Sequence, residues 1–222
     1  GSDGRVRPHF GIYASQTSRS YPSTVGFIPL KAAWMRCLIH PKKGHVICGI
    51  DYGSQEFLIA ALLSNDKAMK ETYASGDVYL HMAKLAGAVP PEGLRKDHEK
   101  KRDLFKTLTL GVSYGISAPA LSIELSSTLN RKVSKEEAQE FIDLFFALYP
   151  DYEEYKSRLL ETYRDNGGLS LPCGWLMFGD NDNHRSITNF PIQGTGASIM
   201  RKAVGYAQDM GLNVIFTNHD AL

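Results

Sequence analysis

The amino-acid sequence predicts an α+β fold in which helices are inserted between two β-strands. Two short apolar runs of β type, VICGI at 46–50 and VIFTNH at 214–219, lie far apart in the chain, and an aspartate follows each of them directly. The long segment between them carries helix caps, proline breaks and glycine stops at helical intervals. Because strands and helices are grouped rather than strictly alternating, this order favours α+β over a parallel α/β sheet.

Length and composition narrow the class of protein. A chain of 222 residues is expected to form one large domain or two small ones, and a net charge of +1 indicates no particular partner. The three cysteines form no CxxC pair, which favours a reducing compartment, and we expect a cytoplasmic location. No apolar run approaches the roughly 20 residues of a membrane span, so we expect no membrane partner.

The first part of the chain is predicted to contain a loop-rich lead-in, one strand and three short helices. The lead-in, at 4–29, is rich in Ser, Thr, Gly and Pro. The strand is expected at 46–51. The helices are expected at 54–63, 66–75 and 78–87, before a pair of prolines that breaks the pattern.

The middle of the chain is predicted to be helical. A basic helix is expected over 96–112, followed by a turn at Gly115. Ser134 and Glu137 have the spacing of a capping box, which predicts a helix that begins there and ends at about Leu148.

The last part is predicted to hold a helix, a hairpin, a longer helix and a strand. The first helix, at 151–164, is expected to end at a glycine pair. The run LSLPCGWLMF at 169–178 is typical of a hairpin that turns at its central Cys-Gly. A helix at 191–210, with small residues near its start, and a strand at 213–220 complete the prediction.

Asp51 and Asp220 occupy equivalent positions at the ends of the two predicted strands. If these strands are neighbours in one sheet, both carboxylates lie at the same edge. Carboxylate oxygens suit Mg²⁺, and two such ions about 3.5–4 Å apart can bracket an in-line phosphoryl displacement. The alternative is that Asp51 caps the helix after it and that Asp220 is an ordinary turn residue.

A second candidate group lies on the predicted basic helix. Arg102, Lys106, Leu110 and Tyr114 are spaced by four residues, so they share one face. Two cations, an apolar side chain and an aromatic ring suit a nucleoside triphosphate, whose phosphates need cations and whose base and sugar need an apolar surface. The alternative is a solvated basic face with Leu110 and Tyr114 turned towards the core.

Several motifs resemble those of family A (DNA polymerase I-like) DNA polymerases, and they follow one another in the same order as in that family. DYGSQEFLIAALLS, from Asp51, resembles motif A, DYSQIELRxLAxLS, without a gap. RDLFKTLTLGVSYG, from Arg102, resembles motif B, RxxxKxxxFGxxYG, and NHDA, ending at Ala221, resembles motif C, xHDE. TSRS and NFPIQGTGASIM resemble the family's TGRLS and NxPxQGTAADI, so the resemblance covers nearly the whole chain.

This resemblance implies a polymerase palm sheet with a helical fingers insertion. The palm would comprise residues 1–64, with motif A, and 167–222, ending at motif C, and the fingers would comprise 65–166, with motif B. The family's thumb and 3′–5′ exonuclease domains find no counterpart in the chain. We therefore expect a palm–fingers fragment, lacking thumb and exonuclease, that a second polypeptide or a missing segment completes.

The resemblance also implies a metal site and DNA contacts. Asp51 and Asp220 would bind two Mg²⁺ ions, or Mn²⁺ in their place, with help from the Tyr52 carbonyl. The expected partners are dNTPs and a primer–template DNA. The residues implied to touch this DNA are Arg19, Asn189, Gln193 and His219.

The remaining implied roles concern the incoming nucleotide. Arg102 and Lys106 would hold the triphosphate, and Lys106 would protonate the leaving pyrophosphate. Glu56 would exclude a ribose 2′-hydroxyl, Leu110 would lie at the sugar, and Tyr114 would stack near the nascent base pair.

Three departures from the family pattern indicate a divergent, viral or plasmid-type member, so the expected cytoplasm is that of a bacterial or virus-infected cell. Leu110 stands where the family has Phe or Tyr, a position linked to sugar selection. Leu58 replaces the arginine of motif A, and Ala221 replaces the glutamate of motif C.

Other hypotheses remain open from the sequence. Cys37, His40, His45 and Cys48 have ligand types and spacing that could hold Zn²⁺, although a strand over 46–50 would alternate their side chains. A non-catalytic nucleic-acid-binding subunit would keep the motifs without a competent site. A two-metal nuclease would use the same aspartates, but it predicts further clustered acids, and only Glu56 follows nearby.

Overall fold

The computed structural model describes residues 9–22, 40–180, 182–217 and 220–222. The chain divides into two compact units. What we call the mixed unit draws on Gly1–Gly53, Ser170–Met177 and Gln193–Leu222, and what we call the helical unit on Ser54–Leu169 and Phe178–Ile192. Within the described ranges, no helix combines the length and the apolar character that crossing a membrane requires.

The helical unit is built mainly from helices joined by short turns. In chain order they are α1 Gln55–Ser64, α2 Lys67–Ala74, α3 Val78–Leu85, the short 3₁₀ helix Arg95–Asp97, α4 Glu99–Ser113, α5 Ala118–Leu129, α6 Lys135–Leu148 and α7 Pro150–Asn166. The helices predicted for this part are confirmed, with ends that shift by a few residues. The predicted basic helix is interrupted at His98, where the 3₁₀ helix gives way to α4.

Side-chain caps define where several of these helices begin. Asp66, Asp77 and Ser134 each accept a hydrogen bond from the backbone N–H three residues later, at 2.9, 3.2 and 3.1 Å. The serine half of the predicted capping box is therefore confirmed. The Glu137 carboxylate pairs with the Arg131 guanidinium, at 3.0 Å from its Nη1.

An aromatic cluster forms the core of the helical unit. The centre of the Phe145 ring lies 5.1 Å from that of Tyr149 and 6.3 Å from that of Tyr152. The ring centres of Phe57 and Tyr149 are 5.8 Å apart, and all three pairs have edge-to-face geometry. Such pairs add to the gain from burial. The Tyr149 hydroxyl shares a hydrogen bond of 3.1 Å with Thr72, and burial raises the pKa of Tyr149 to about 12.

Helix α5 was not predicted from the sequence. In its segment Leu121, Ile123 and Leu125 alternate with polar residues, which is a spacing of two, so its helical periodicity is weak. Leu121 and Leu125, one turn apart, are fully buried, and the helix packs against α6. The local signals were Pro119 in the first turn and Asn130 at the end, which adopts a left-handed conformation with φ of 51°.

Two small sheets and a long helix account for the remaining regular structure among the described residues. β1 Phe10–Gly11 pairs antiparallel with β2 Tyr21–Pro22. β3 Gly168–Ser170 pairs with β4 Leu176–Phe178, which confirms the predicted hairpin. Its turn contains Gly174, whose φ of 82° suits glycine. The described residues are thus mostly helical with little sheet, an α+β fold.

The strands predicted at 46–51 and 213–220 are largely wrong. Residues 46–50 and 213–217 form no regular structure, and only the ends of the two segments meet, at an isolated bridge between Asp51 and Ala221. A strand needs a neighbouring backbone along its length to satisfy its N–H and C=O groups. In the described part of the chain, the apolar runs have such a neighbour at their last residues only.

The long helix α8, His184–Asp209, begins earlier than predicted. We predicted a start at Pro191, a residue that commonly opens helices, but Pro191 lies inside the helix. The start is set instead by Asn183, whose side-chain oxygen accepts from the backbone N–H groups of Arg185 and Ser186 at 3.1 and 3.2 Å.

Candidate functional site

The two predicted metal-binding aspartates lie on hydrogen-bonded segments of the mixed unit. Asp51 forms an antiparallel bridge with Ala221. Beside it, the Tyr52 N–H donates to the Asp220 carbonyl at 3.0 Å. The backbones of the two segments are therefore neighbours, as the sequence analysis expected.

The register of this bridge places Ala221, and not Asp220, directly opposite Asp51. Successive residues of a regular strand point to opposite faces, so the two carboxylates converge only where the backbone leaves strand geometry. Asp220 lies in a turn, where that departure occurs. The carboxylates of Asp51 and Asp220 and the carbonyl of Tyr52 are hard oxygen donors, the ligand type that Mg²⁺ prefers.

Cys37 of the zinc hypothesis and His219, a predicted DNA contact, lie outside the described residues. Of the other residues in the zinc hypothesis, His40, His45 and Cys48 are all exposed. Within the described ranges, no three His, Cys, Asp or Glu side chains are grouped so as to hold a metal ion.

Helix α4 of the helical unit presents the predicted nucleotide-binding face. Leu110 and Tyr114 are 39% and 38% exposed, so the alternative that turns them towards the core is wrong. Lys106 is also exposed, one turn before Leu110. The opposite face of the helix supplies the core, with buried Phe105, Leu108, Thr109 and Val112.

Arg102, on the same face, contacts three side chains that the sequence analysis did not single out, one of which is Asp103, whose Oδ1 lies 3.5 Å from Nη1. The Arg102 Nε–H donates to Asp77 Oδ2 at 2.7 Å, and its guanidinium carbon lies 5.1 Å from the centre of the Tyr79 ring. Burial alone would raise the pKa of Asp77, but its hydrogen bonds with Arg102 and the Leu80 N–H hold that pKa below its usual value. The available sequence signal was an aspartate at a helix cap.

Glu56, Tyr114 and Asn189 are brought together from positions far apart in the sequence. The Tyr114 hydroxyl donates to Glu56 Oε2 across 58 residues of chain. The Asn189 Nδ2 donates to the Tyr114 carbonyl at 3.3 Å, across 75 residues. Tyr114 therefore links the first helix of the unit to the beginning of α8.

The other two predicted DNA contacts, Arg19 and Gln193, belong to the mixed unit, and both are partly buried. Arg19 is the last residue of a tight loop at 15–19, in which its N–H donates to Ser15 Oγ at 2.9 Å. Gln193 lies on α8.

A cavity of about 310 Å³ in the helical unit contains a lysine that the sequence analysis did not single out. The Lys156 ammonium donates to the Ser113 carbonyl at 3.3 Å and lies 5.8 and 5.5 Å from the ring centres of Phe146 and Tyr152. No carboxylate forms an ion pair with it among the described residues. Burial therefore lowers the pKa of Lys156 to about 8.

We expect Lys156→Met to raise the free energy of unfolding by about 1 kcal/mol at pH 7, because the charge of Lys156 is poorly solvated in the folded state. The unfolded lysine has a pKa of 10.5 and the folded one about 8, so the penalty is complete below pH 8 and disappears above 10.5. The wild-type protein should gain stability across that window, while the variant gains less. Urea midpoints at pH 7 and 10.5 measure this, with exposed Lys132→Met as the control. If the urea midpoint changed equally between the two pH values in Lys156→Met and in Lys132→Met, the prediction would be contradicted.

Comparison with known proteins gives a consistent picture. The sequence model of the family described as DNA polymerase family A matches residues 2–213 of the chain. The thermostable DNA polymerase I of Thermus thermophilus is 28% identical over 99% of the chain. The DNA polymerase of Mycobacterium phage D29 is 29% identical over 76% of the chain.

A solved structure is similar over the whole chain. It is the POL domain of Pol1 from M. smegmatis in complex with DNA primer-template and dNTP, with a TM-score of 0.77 and 25% identity. The present chain spans 42% of that domain, 28% of the Thermus protein and 26% of the phage protein, well under half of each.

Proposed function

Because the chain belongs to DNA polymerase family A, we propose that it carries the nucleotidyl-transfer centre of a DNA polymerase. The primer 3′-hydroxyl oxygen would bond to the α-phosphorus of a dNTP selected by the template, and the bond from that phosphorus to the β-bridging oxygen would break, releasing pyrophosphate. The observation that carries this proposal is the backbone pairing of the Asp51 and Asp220 segments in a chain whose family match spans residues 2–213.

Asp51 and Asp220 are the proposed metal ligands, with the Tyr52 carbonyl as a third oxygen donor. Bound Mg²⁺ would make the primer hydroxyl a better nucleophile and neutralise charge on the phosphates. The support is the hard-oxygen donor set on two paired segments. Because Ala221 stands where motif C of the family has glutamate, the proposed metal site has one carboxylate fewer than the family pattern.

Arg102 and Lys106 are the proposed triphosphate ligands. A guanidinium has five N–H donors in a fixed fork, and Asp77 takes the one on Nε, which sets the direction of the others. Lys106 lies one turn later on the same face and is exposed. It would donate a proton to the pyrophosphate oxygen that leaves.

Glu56 is proposed to exclude ribonucleotides, with Tyr114 as its support. A carboxylate at the position of a 2′-hydroxyl rejects that group by contact, provided that the carboxylate cannot swing aside. The hydrogen bond from the Tyr114 hydroxyl supplies that restraint. Leu110, smaller than the family's aromatic residue, adds less surface against the sugar.

We expect Glu56→Ala to reduce the preference for dNTPs over rNTPs about ten- to hundredfold, because the 2′-hydroxyl gains space. Tyr114→Phe should cause a smaller loss, since it keeps the ring and frees the carboxylate. Single-nucleotide kcat/KM values with matched dNTP and rNTP measure both. An unchanged ratio in Glu56→Ala would remove this residue from sugar selection, and Glu92→Ala, elsewhere on the surface of the helical unit, serves as a control.

The primer–template is proposed to contact Arg19, Asn189, Gln193 and His219. We further propose that residues 1–64 and 167–222 serve as the palm and 65–166 as the fingers, and that a second polypeptide, or a segment beyond this sequence, supplies the parts of the polymerase domain that this sequence does not span. The support is the similarity of the entire chain to a part of the M. smegmatis polymerase domain, of which it covers 42%.

The test is primer extension by this chain on a labelled primer–template with Mg²⁺ and dNTPs. Addition of only the template-complementary nucleotide, abolished by EDTA, is expected. DNA binding without any addition would contradict nucleotidyl transfer by this chain alone, and would favour either a non-catalytic binding subunit or a fragment that acts only with its complementary polypeptide. Shortening of the primer would favour a nuclease.

A further inference from the structure

The loop at 15–19, which ends at Arg19, is closed by its own hydrogen bonds. The Ser15 N–H donates to the Arg19 carbonyl at 3.2 Å, and the Arg19 N–H donates to Ser15 Oγ at 2.9 Å. The Ser18 N–H donates to the Ser15 carbonyl at 2.9 Å. The backbone of Arg19 is therefore tied to the conformation of this loop.

Ser18 is the strained residue of the loop. It is fully buried and has a φ of 60°, a left-handed conformation that costs a residue with a Cβ about 1 kcal/mol. The motif TGRLS has glycine at this position, where the sequence has serine. A buried serine in this conformation needs partners for its polar atoms, which hold it in place.

Arg201, on α8 of the mixed unit, supplies those partners. Its Nη1 donates to the Ser18 carbonyl at 2.8 Å, and its Nη2 donates to Ser18 Oγ at 3.1 Å and to Ser198 Oγ at 2.9 Å. Its guanidinium carbon lies 4.9 Å from the centre of the Tyr13 ring. The Arg201 guanidinium is thus occupied by protein groups on its edge and on a face.

A second support fixes the other side of the loop. The Trp175 ring in the hairpin stacks on Tyr13, with centres 5.2 Å apart and planes 16° apart, and its Nε1–H donates to the Gln16 carbonyl at 2.9 Å. Gly194 permits close packing nearby, since a Cβ there would lie 2.3 Å from Leu171 and 3.6 Å from the Thr17 carbonyl. The loop is therefore clamped between the hairpin and α8.

We propose that Arg201 is a positioning residue, which fixes the Ser18 conformation and thereby presents Arg19 to the primer–template. The inference rests on the proposed function, in which Arg19 contacts DNA. It assigns Arg201 a role in DNA affinity that acts through Arg19, since the hydrogen bonds of its own fork go to Ser18 and Ser198. Preorganisation of a contact residue raises affinity by lowering the entropy lost on binding.

A double-mutant cycle tests this. The affinity of the chain for a fluorescent primer–template, at fixed salt, would be measured for the wild type, Arg19→Ala, Arg201→Ala and the double variant. We expect Arg19→Ala to weaken binding about tenfold and Arg201→Ala about fivefold, whereas Arg201→Ala in the Arg19→Ala background should change it less than about twofold. Arg158→Ala, which removes an exposed arginine of the helical unit, is the charge-matched control.

A spectroscopic readout separates positioning from general loss of folding. With Trp34→Phe as the background, Trp175 is the remaining tryptophan, and its emission should shift to longer wavelength in Arg201→Ala as the loop loosens. Arg201→Lys keeps the charge but not the fork, so it should recover only part of the affinity. Should Arg201→Ala fail to fold, Arg201→Lys in both Arg19 backgrounds completes the same cycle.

The outcomes are distinguishable. Equal weakening by the Arg201 change with and without Arg19 would overturn the inference and make Arg201 a direct phosphate contact, while Arg19 keeps its proposed role. No effect of Arg19→Ala would overturn the DNA contact itself, and the inference with it. Full affinity in Arg201→Lys would show that charge, and not the fork, matters, and would also overturn it.

Discussion

Asp51→Ala should abolish primer extension while leaving DNA binding intact. The carboxylate of Asp51 is a proposed metal ligand on the segment paired with Asp220, and its loss should remove stabilisation that acts in the transition state. A loss of about 4 kcal/mol there corresponds to roughly a thousandfold lower rate. DNA affinity should stay the same or rise slightly, because one negative charge is removed. Single-turnover extension and fluorescence anisotropy measure the two quantities.

Asp220→Ala should give the same loss, and the double variant should be no slower than either single one, because ligands of one site act as a unit. Asp209→Ala, an exposed acid at the end of α8, is the control and should extend primers at the wild-type rate. Extension by Asp51→Ala within tenfold of the wild type would show that the paired aspartates are structural.

Asp66→Ala should be the most damaging change for stability, with a loss of about 3 kcal/mol. Asp66 is 1% exposed, and its carboxylate caps two helices at once. Oδ1 accepts from the Met69 N–H at the start of α2, at 2.9 Å, and Oδ2 accepts from the Tyr152 N–H in the first turn of α7, at 3.2 Å. Helix α7 has no side-chain cap of its own, since Tyr149 precedes it. Alanine would leave two buried N–H groups without partners.

Urea unfolding measures this loss, with Ser134→Ala as the matched comparison. Ser134 caps one helix at an exposed position, so its loss should cost about 1 kcal/mol. Asp66→Asn should lie between the two, because its oxygen caps one helix while its NH₂ faces the N–H of the other. A cost for Asp66→Ala no greater than that of Ser134→Ala would show that the bond to Tyr152 contributes nothing.

Helices were predicted well where their signals are local. The cap at Ser134, the break at Tyr149-Pro150 and the glycine after α7 lie within a few residues of the ends they define. Helix α5 was missed because its large buried side chains are just Leu121 and Leu125. The start of α8 was misplaced because Asn183, which caps the helix, lies eight residues before Pro191. Strands were predicted poorly because their hydrogen bonds come from residues elsewhere in the chain.

The candidate site divides in the same way. The spacing of Arg102, Lys106, Leu110 and Tyr114 placed them on one helical face, and their shared face follows from helix geometry alone. The partners of these residues did not follow from spacing. Asp77 beside Arg102 and Glu56 beside Tyr114 come from other helices, and no local pattern announces which distant side chain completes a hydrogen bond.

The sequence by itself determined the family, the order of the motifs and the helices, since these depend on residue types at short, regular spacing. Only the tertiary structure decided that Asp66 caps a second helix, that Arg201 holds Ser18, and that the Asp51 and Asp220 segments pair just at their ends. The physical reason is that a helix satisfies its backbone within one segment. A buried carboxylate, a clamped loop or a strand needs partners that only folding brings within hydrogen-bonding distance.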